Sequence, residues 1–248
     1  MPELNKANRQ VCDVDFRDLK TKQPVLFFDT ANTTTVGLTG DSVYAMKKGS
    51  KAIAFHNPIE GSLTIEAQVL PFKAYSLFSD GVIESTAYRS VKKTIKGGAA
   101  GTLDISAPSN GTIVEGSVFV YKEGEFGYDE IEGSFSNSKF TATSTEDIKS
   151  GEDYEVGYIV EKTSGVKRVS FNNKKVPKDF YIEMSTLEKD EDGVLTPFII
   201  TCYKATPKRD FELSFSSEGD PATVSIQMDL LEDKDGNVMD IIEDTSEE

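Results

Sequence analysis

Histidine and cysteine, the usual raw material of catalytic and metal sites, are nearly missing here: 248 residues hold one histidine, two cysteines and no tryptophan. A serine triad would have to use His56, which adjoins Asn57-Pro58 in an expected turn, where a surface histidine is ordinary. A zinc site would have to draw Cys12, Cys202 and His56 together with carboxylates, and no CxxC or HxxxH spacing exists. Without tryptophan a sugar site would have to stack on tyrosine. Two acidic-glycine runs fail as calcium loops. Counting from Glu188 in Glu188-Lys189-Asp190-Glu191-Asp192-Gly193 puts Ile199 at position twelve, and the Asp233-Lys234-Asp235-Gly236 run puts Leu231 and Ile242 at positions one and twelve. Gly97-Gly98-Ala99-Ala100-Gly101 lacks the ending of a phosphate loop and reads as a flexible hinge. The expectation is a protein that is not an enzyme, with no catalytic, cofactor-binding or metal residues and no cofactor.

Long apolar runs are also absent. No stretch approaches the roughly 18 apolar residues of a membrane-spanning helix, and residues 1–10 contain no apolar signal core. Synthesis in a reducing cytoplasm is expected, and with it two unpaired cysteines. Positive charge is scarce as well: 27 basic residues face 42 acidic ones, a formal charge of -15. Gripping nucleic acid by its phosphates requires clustered lysine and arginine, so this balance argues against a nucleic-acid binder. It permits a protein that lies close to nucleic acid without sticking to it.

What the chain does have is period-two alternation, the mark of strands with one face buried. Around a turn at Glu218-Gly219-Asp220-Pro221, Phe211, Leu213 and Phe215 alternate on one side, and Val224, Ile226, Met228 and Leu230 on the other, as a closing hairpin. Residues 62–69 place Leu63, Ile65, Ala67 and Val69 on one face and Thr64, Glu66 and Gln68 on the opposite one. Further strands are expected at 51–55, 118–121, 154–160, 180–184 and 198–203, with a turn at 57–61. One short helix is expected at 71–78, with Pro71 in its first turn and Ala74, Leu77 and Phe78 on a common face. Residues 29–50, residues 89–101 and the acidic tail from 232 look unlike core. Each is expected as a mobile loop or as a segment that orders against a neighbour.

Taken in order, several of these stretches resemble the major tail tube proteins of tailed bacteriophages. Residues 47–55 followed by 60–66 look like their first strand pair, with the short helix after it. Residues 154–160 look like a core strand, 176–184 with Asp192-Gly193 like the strand and turn before the closing hairpin, and 211–231 like that hairpin itself. The resemblance implies a mainly β fold: an antiparallel β-sandwich or barrel protomer with one short flanking helix, assembling into a ring-shaped β-barrel. The domains it implies are an N-terminal arm (1–24), a tail-tube-like β domain (25–231, with 102–150 an insertion or extra strands) and an acidic C-terminal tail (232–248).

The function implied is a structural virion protein, made in the host cytoplasm, that stacks as hexameric rings into the tail tube through which DNA is ejected. Lumen-lining candidates are Thr64, Glu66, Gln68, Glu212, Ser214, Ser225, Gln227 and Asp229, because an acidic polar lining repels phosphates. Inter-ring candidates are Lys92, Lys93, Lys96, Gly97 and Gly98, together with residues 29–50. The implied partners are further copies of the chain, with tail sheath, tape measure, baseplate and tail terminator proteins around them; DNA passes without specific binding and no membrane is involved. Two rival readings stay open. One is another virion or surface β-sandwich, a head decoration or adhesion domain; the other is a hydrolase or lyase on a β scaffold.

Overall fold

The structure is a computed structural model, and it describes residues 5–219 and 221–245. Asp220 of the expected turn and Glu247 and Glu248 of the acidic tail therefore lie outside the described residues. The strands in chain order are β1 (Lys6–Asn8), β2 (Asp13–Asp18), β3 (Pro24–Phe28), β4 (Thr33–Thr39), β5 (Ser42–Lys47), β6 (Ser50–His56) and β7 (Glu60–Ala67). There follow β8 (Ala87–Lys96), β9 (Thr102–Asp104), β10 (Gly111–Ile113), β11 (Phe119–Lys122), β12 (Gly133–Ser136), β13 (Lys139–Ala142) and β14 (Asp153–Lys162). The last four are β15 (Phe180–Asp190), β16 (Leu195–Pro207), β17 (Val224–Leu231) and β18 (Met239–Glu243). The expected short helix is a single 3-10 segment, Phe72–Phe78, which buries Ala74, Ser76, Leu77 and Phe78.

Contacts divide the chain into two units, residues 1–82 with 170–248, and residues 83–169. The first is a nine-stranded antiparallel sheet in the order β3-β2-β15-β16-β17-β7-β4, with β1 added to β15 and β18 to β16. A sheet of this many twisted strands curls. Side chains from both ends of the order therefore meet in one core: Leu26 and Phe28 of β3 share it with Leu63 and Ile65 of β7, and Val36 of β4 packs against them. The sheet does not close. β3 pairs only with β2 and β4 only with β7 among the described strands, so this unit is an open curled sheet and no closed barrel is formed within it.

The second unit is a small sandwich. One sheet runs β10-β14-β11 with β8 on the other side of β14, and the other runs β12-β13-β9. Val120, Val156 and Tyr158 from the first pack with Leu103 and Phe140 from the second. Residues 102–150, whose organisation was undefined in the sequence, thus carry β9 to β13 of this sandwich.

Several expected elements are placed differently. Residues 211–215 form no strand. β17 pairs instead with the end of β16, Lys204↔Leu231 through Pro207↔Met228, and with β7 along its length. With those ladder positions taken, Phe211 anchors its loop by stacking on Phe78 at 4.5 Å and meeting Phe171 at 5.2 Å. Phe215 is left 90% exposed. Residues 47–55 and 60–66 do not pair with each other, since β6 pairs with β5 and β7 with β4. Val69, beyond the end of β7, is exposed. The expected N-terminal arm contributes β2, with Val14 and Phe16 fully buried, and the acidic tail contributes β18.

Both cysteines are free thiols. Burial alone pushes the Cys202 thiol up to about 12, so little nucleophilic thiolate forms there at neutral pH. Cys12 is half-buried. Alkylation of the folded protein with iodoacetamide is expected to modify Cys12 alone, and both residues after denaturation; intact mass distinguishes the outcomes. Rapid double modification of folded protein would contradict the burial of β16.

Candidate functional site

The alternation in β7 and β17 sorts side chains by face, and their pairing then aligns the faces. Val224↔Ala67, Ile226↔Ile65 and Met228↔Leu63 lie opposite one another, and all six side chains are buried. The intervening pairs point the other way: Ser225↔Glu66, Gln227↔Thr64 and Asp229↔Ser62. β4 extends these rows by one strand through Thr33↔Glu66, Thr35↔Thr64 and Gly37↔Ser62. The result is a three-by-three polar lattice, Thr33-Glu66-Ser225, Thr35-Thr64-Gln227 and Gly37-Ser62-Asp229. Directly opposed residues on such a face lie about 5 Å apart.

The lattice is flat, wet and weakly acidic. None of its nine residues is fully buried, and its only charges are the carboxylates of Glu66 and Asp229. At its rim Lys208 approaches Asp229 at 3.1 Å, with both side chains substantially exposed, so the pair is screened and contributes little to stability. Close backbone packing fixes the lower corner. Gly61 is buried, and a Cβ there would lie 2.7 Å from the Leu230 Cβ, so only glycine lets β7 and β17 approach at that point.

Of the sequence-derived lumen candidates, Thr64, Glu66, Ser225, Gln227 and Asp229 fall within this lattice. Gln68 lies just past β7, where its backbone N–H donates to the Asn32 side-chain oxygen at 2.9 Å. Glu212 and Ser214 are on no strand, yet they share a shallow depression with Ser225 and Gln227 beside the lattice. Thr33, Thr35 and Ser62 were missed. The threonine run of β4 looked like loop, and only the β4–β7 register reveals which of its members face outward.

The inter-ring candidates occupy a different setting. Lys92, Lys93 and Lys96 lie in β8, a ten-residue strand paired along its whole length with β14. Lys92 binds Glu155 at 2.9 Å and sits over the Phe126 ring, while Lys96 binds Asp153 at 3.0 Å. The hinge expected at 97–101 is an ordered turn: Gly97 donates to the Glu152 carbonyl, its own carbonyl accepts from Gly151, and Gly98 donates to the Thr102 carbonyl.

Chemistry-bearing residues elsewhere do not converge. His56 Nδ1 meets the Ser42 hydroxyl at 2.9 Å across the exposed β5–β6 hairpin, and residues 42–56 contain no carboxylate to complete a triad. The Asp233-Lys234-Asp235-Gly236 run is a self-capped turn. Backbone N–H donation from Asn237, joined by Asp235, holds the Asp233 carboxyl below its usual range. Among the described residues no group of three or more His, Cys, Asp or Glu is placed to hold a metal, and no helix is long and apolar enough to cross a membrane.

Compared with known families, the sequence matches the YomU/Tube protein family over residues 9–242. No curated protein matches the chain.

Proposed function

This chain belongs to the YomU/Tube protein family, a phage tail tube family, and from that premise we propose that it polymerises as stacked hexameric rings whose lumen conducts DNA. Membership makes it a structural component of the phage tail. The finer reading rests on one observation, the three-strand polar lattice backed by a continuous apolar core. A DNA conduit needs a wet wall that offers phosphate no unpaired cation. The lattice supplies two carboxylates per copy against one rim cation, Lys208, which Asp229 already holds, and repeated around a ring this gives a net negative field that keeps DNA off the wall. β4 forms the edge of this patch and leaves a row of backbone N–H and C=O groups open. Pairing such edges between six copies would join the patches into one closed lining and remove the exposed edges. Glu212 and Ser214, beside the lattice, would extend the lining. Contacts between rings would draw on residues 29–50 and on the basic row of β8, where Lys93 has more freedom than the ion-paired Lys92 and Lys96.

Negative-stain microscopy of the purified full chain is expected to show hollow filaments. Filaments of a Glu66→Lys, Asp229→Lys variant are expected to keep their shape yet retain duplex DNA in co-sedimentation, with binding falling steeply as salt rises from about 50 to 200 mM. Unchanged DNA retention by the variant filaments would remove the lattice from the lumen. A protein that stays monomeric with the same fold would sink the tube reading itself.

A further inference from the structure

On the 83–169 sandwich, the face of the β8–β14–β11 sheet turned away from the core carries an aromatic cluster that tube formation does not use. The register sets its rows: Ser90↔Ile159, Lys92↔Gly157↔Phe119 and Thr94↔Glu155↔Tyr121. Phe126, from the loop after β11, fills the space of the side chain that Gly157 lacks, since a Cβ there would lie 2.8 Å from its ring. That ring is held from several sides. The Phe126 N–H donates to Glu155 at 3.2 Å, Lys92 Nζ sits 4.5 Å from the ring centroid, and Tyr121 meets it at 5.1 Å with the planes tilted by 57°. Beside the rings lies a depression of about 450 Å³ whose lining includes Ser90, Ser117, Phe119, Tyr121, Phe126 and Ile159. Its volume falls in the range of small-ligand sites, about 300–1,000 Å³. Phe119 is 46% exposed, Phe126 39% and Ile159 38%, so three apolar side chains are held open to water.

Charge narrows what such a face can take. Each charged side chain on this face of β8 and β14 already has a partner: Lys92 with Glu155, Lys96 with Asp153, and Glu161 with the Tyr88 hydroxyl. A charged ligand therefore finds no free counter-ion. Residues 123–130 add Glu123, Glu125, Asp129 and Glu130 and no cation, a field that repels phosphate on nucleic acid and on anionic lipid alike. A protein partner of ordinary affinity covers about 800 Å² on each side, and the flanking ion pairs confine the open rings to far less. The matching ligand is neutral, with apolar C–H faces to lie on the rings and hydroxyls at its edges. A pyranose sugar has that character. Phenylalanine and tyrosine supply the stacking planes, and the Ser90 and Tyr121 hydroxyls and the Glu155 carboxylate stand ready for sugar hydroxyls.

We infer that this face binds a neutral, pyranose-containing glycan, with Phe119 and Tyr121 stacking on sugar rings and Phe126 as the fixed wall. Because Phe126 is held before any ligand arrives, little ordering is lost on binding. Each residue named lies inside the 83–169 sandwich, so the site is independent of how copies of the chain assemble.

The test uses the full chain and saturation-transfer NMR, which reads magnetisation passing from protein to sugar C–H protons in monomers and filaments alike. The probes are neutral trisaccharides of glucose, of galactose and of N-acetylglucosamine. At least one is expected to bind with a Kd of about 1 mM. Phe119→Ala and Tyr121→Ala should each weaken it about tenfold, while Phe119→Tyr, which keeps a ring, should stay within about threefold of the parent. Tyr128→Ala removes a ring that is 79% exposed and outside the depression, and should change nothing. Affinity should also hold as salt rises from about 50 to 200 mM, unlike a phosphate contact. No transfer to any of the three sugars at about 10 mM, or transfer that survives Phe119→Ala with Tyr121→Ala, would overturn the inference. Binding of duplex DNA or phosphatidylserine vesicles that Phe119→Ala abolishes would overturn it too. Filaments that bind no sugar would sink this site and spare the tube reading; a monomer that binds sugar would do the reverse.

Discussion

Replacing Phe16 with alanine is expected to destabilise the unit formed by residues 1–82 and 170–248 by about 3–5 kcal/mol. Phe16 is fully buried. It pairs across β2 with Leu26 on one side and Ile182 on the other, and its ring meets Phe180 edge-on at 6.0 Å. Neighbours fixed in the β3 and β15 ladders cannot collapse into the vacated space, so the cost combines lost transfer energy with a cavity. Against a typical total of about 5–15 kcal/mol, the loss is a large share of folding stability. Thermal unfolding should come roughly 10 °C earlier. Phe27 supplies an internal control. It is one residue from Phe28 in the same hairpin and 59% exposed, so Phe27→Ala should change stability by no more than about 0.5 kcal/mol. A Phe16→Ala protein that melts with the parent would return residues 1–24 to the status of a detachable arm.

That arm was the reading the sequence invited, and the reason is instructive. Asp13-Val14-Asp15-Phe16-Arg17-Asp18 alternates as faithfully as β17 does, but its outward positions are charged and its buried ones number only two. The same signal was legible in β7 and β17, where three or four buried side chains alternate with short polar ones, and there both faces were assigned correctly from the sequence. Alternation does not say which strand lies opposite. Phe211, Leu213 and Phe215 show the pattern without forming a strand, because β17 finds its neighbours in β16 and β7 and leaves Phe211 free to plug the core as a loop anchor. The lattice was therefore half legible. Its members on β7 and β17 could be named from periodicity, whereas Thr33 and Thr35 needed the register of β4, which no local pattern encodes. β8 was obscured for another reason: Arg89 and Lys93 alternate with Val91 and Ile95 on one side of the strand, so its apolar face is interrupted by charge.

Gly97→Val is expected to cost the 83–169 sandwich about 3 kcal/mol or more, for a reason unrelated to the flexibility its glycine neighbours suggest. Gly97 is buried, and a Cβ at this position would overlap the backbone carbonyl of Lys149 and press on the Tyr154 ring. Neither obstacle is the yielding end of a side chain. Tyr154 is itself pinned, its hydroxyl accepting from the Lys149 N–H at 2.7 Å. Relief requires moving the Gly97 backbone away. That movement breaks its hydrogen bonds to Glu152 and from Gly151, both 2.8 Å, each worth about 1 kcal/mol net, and strain adds to the loss. Those two bonds tie the residue after β8 to the 149–152 turn before β14, at the end of the longest strand pairing in the unit. Amide exchange in β8 and β14 should accelerate by about a hundredfold. Gly37→Ala tests the converse, since a Cβ there meets nothing within 4 Å and the change should leave exchange rates near the parent's. If Gly97→Val protected its β8 amides as well as the parent does, the close approach of the 149–152 turn would be wrong, and residues 97–101 would be the hinge that their composition suggests.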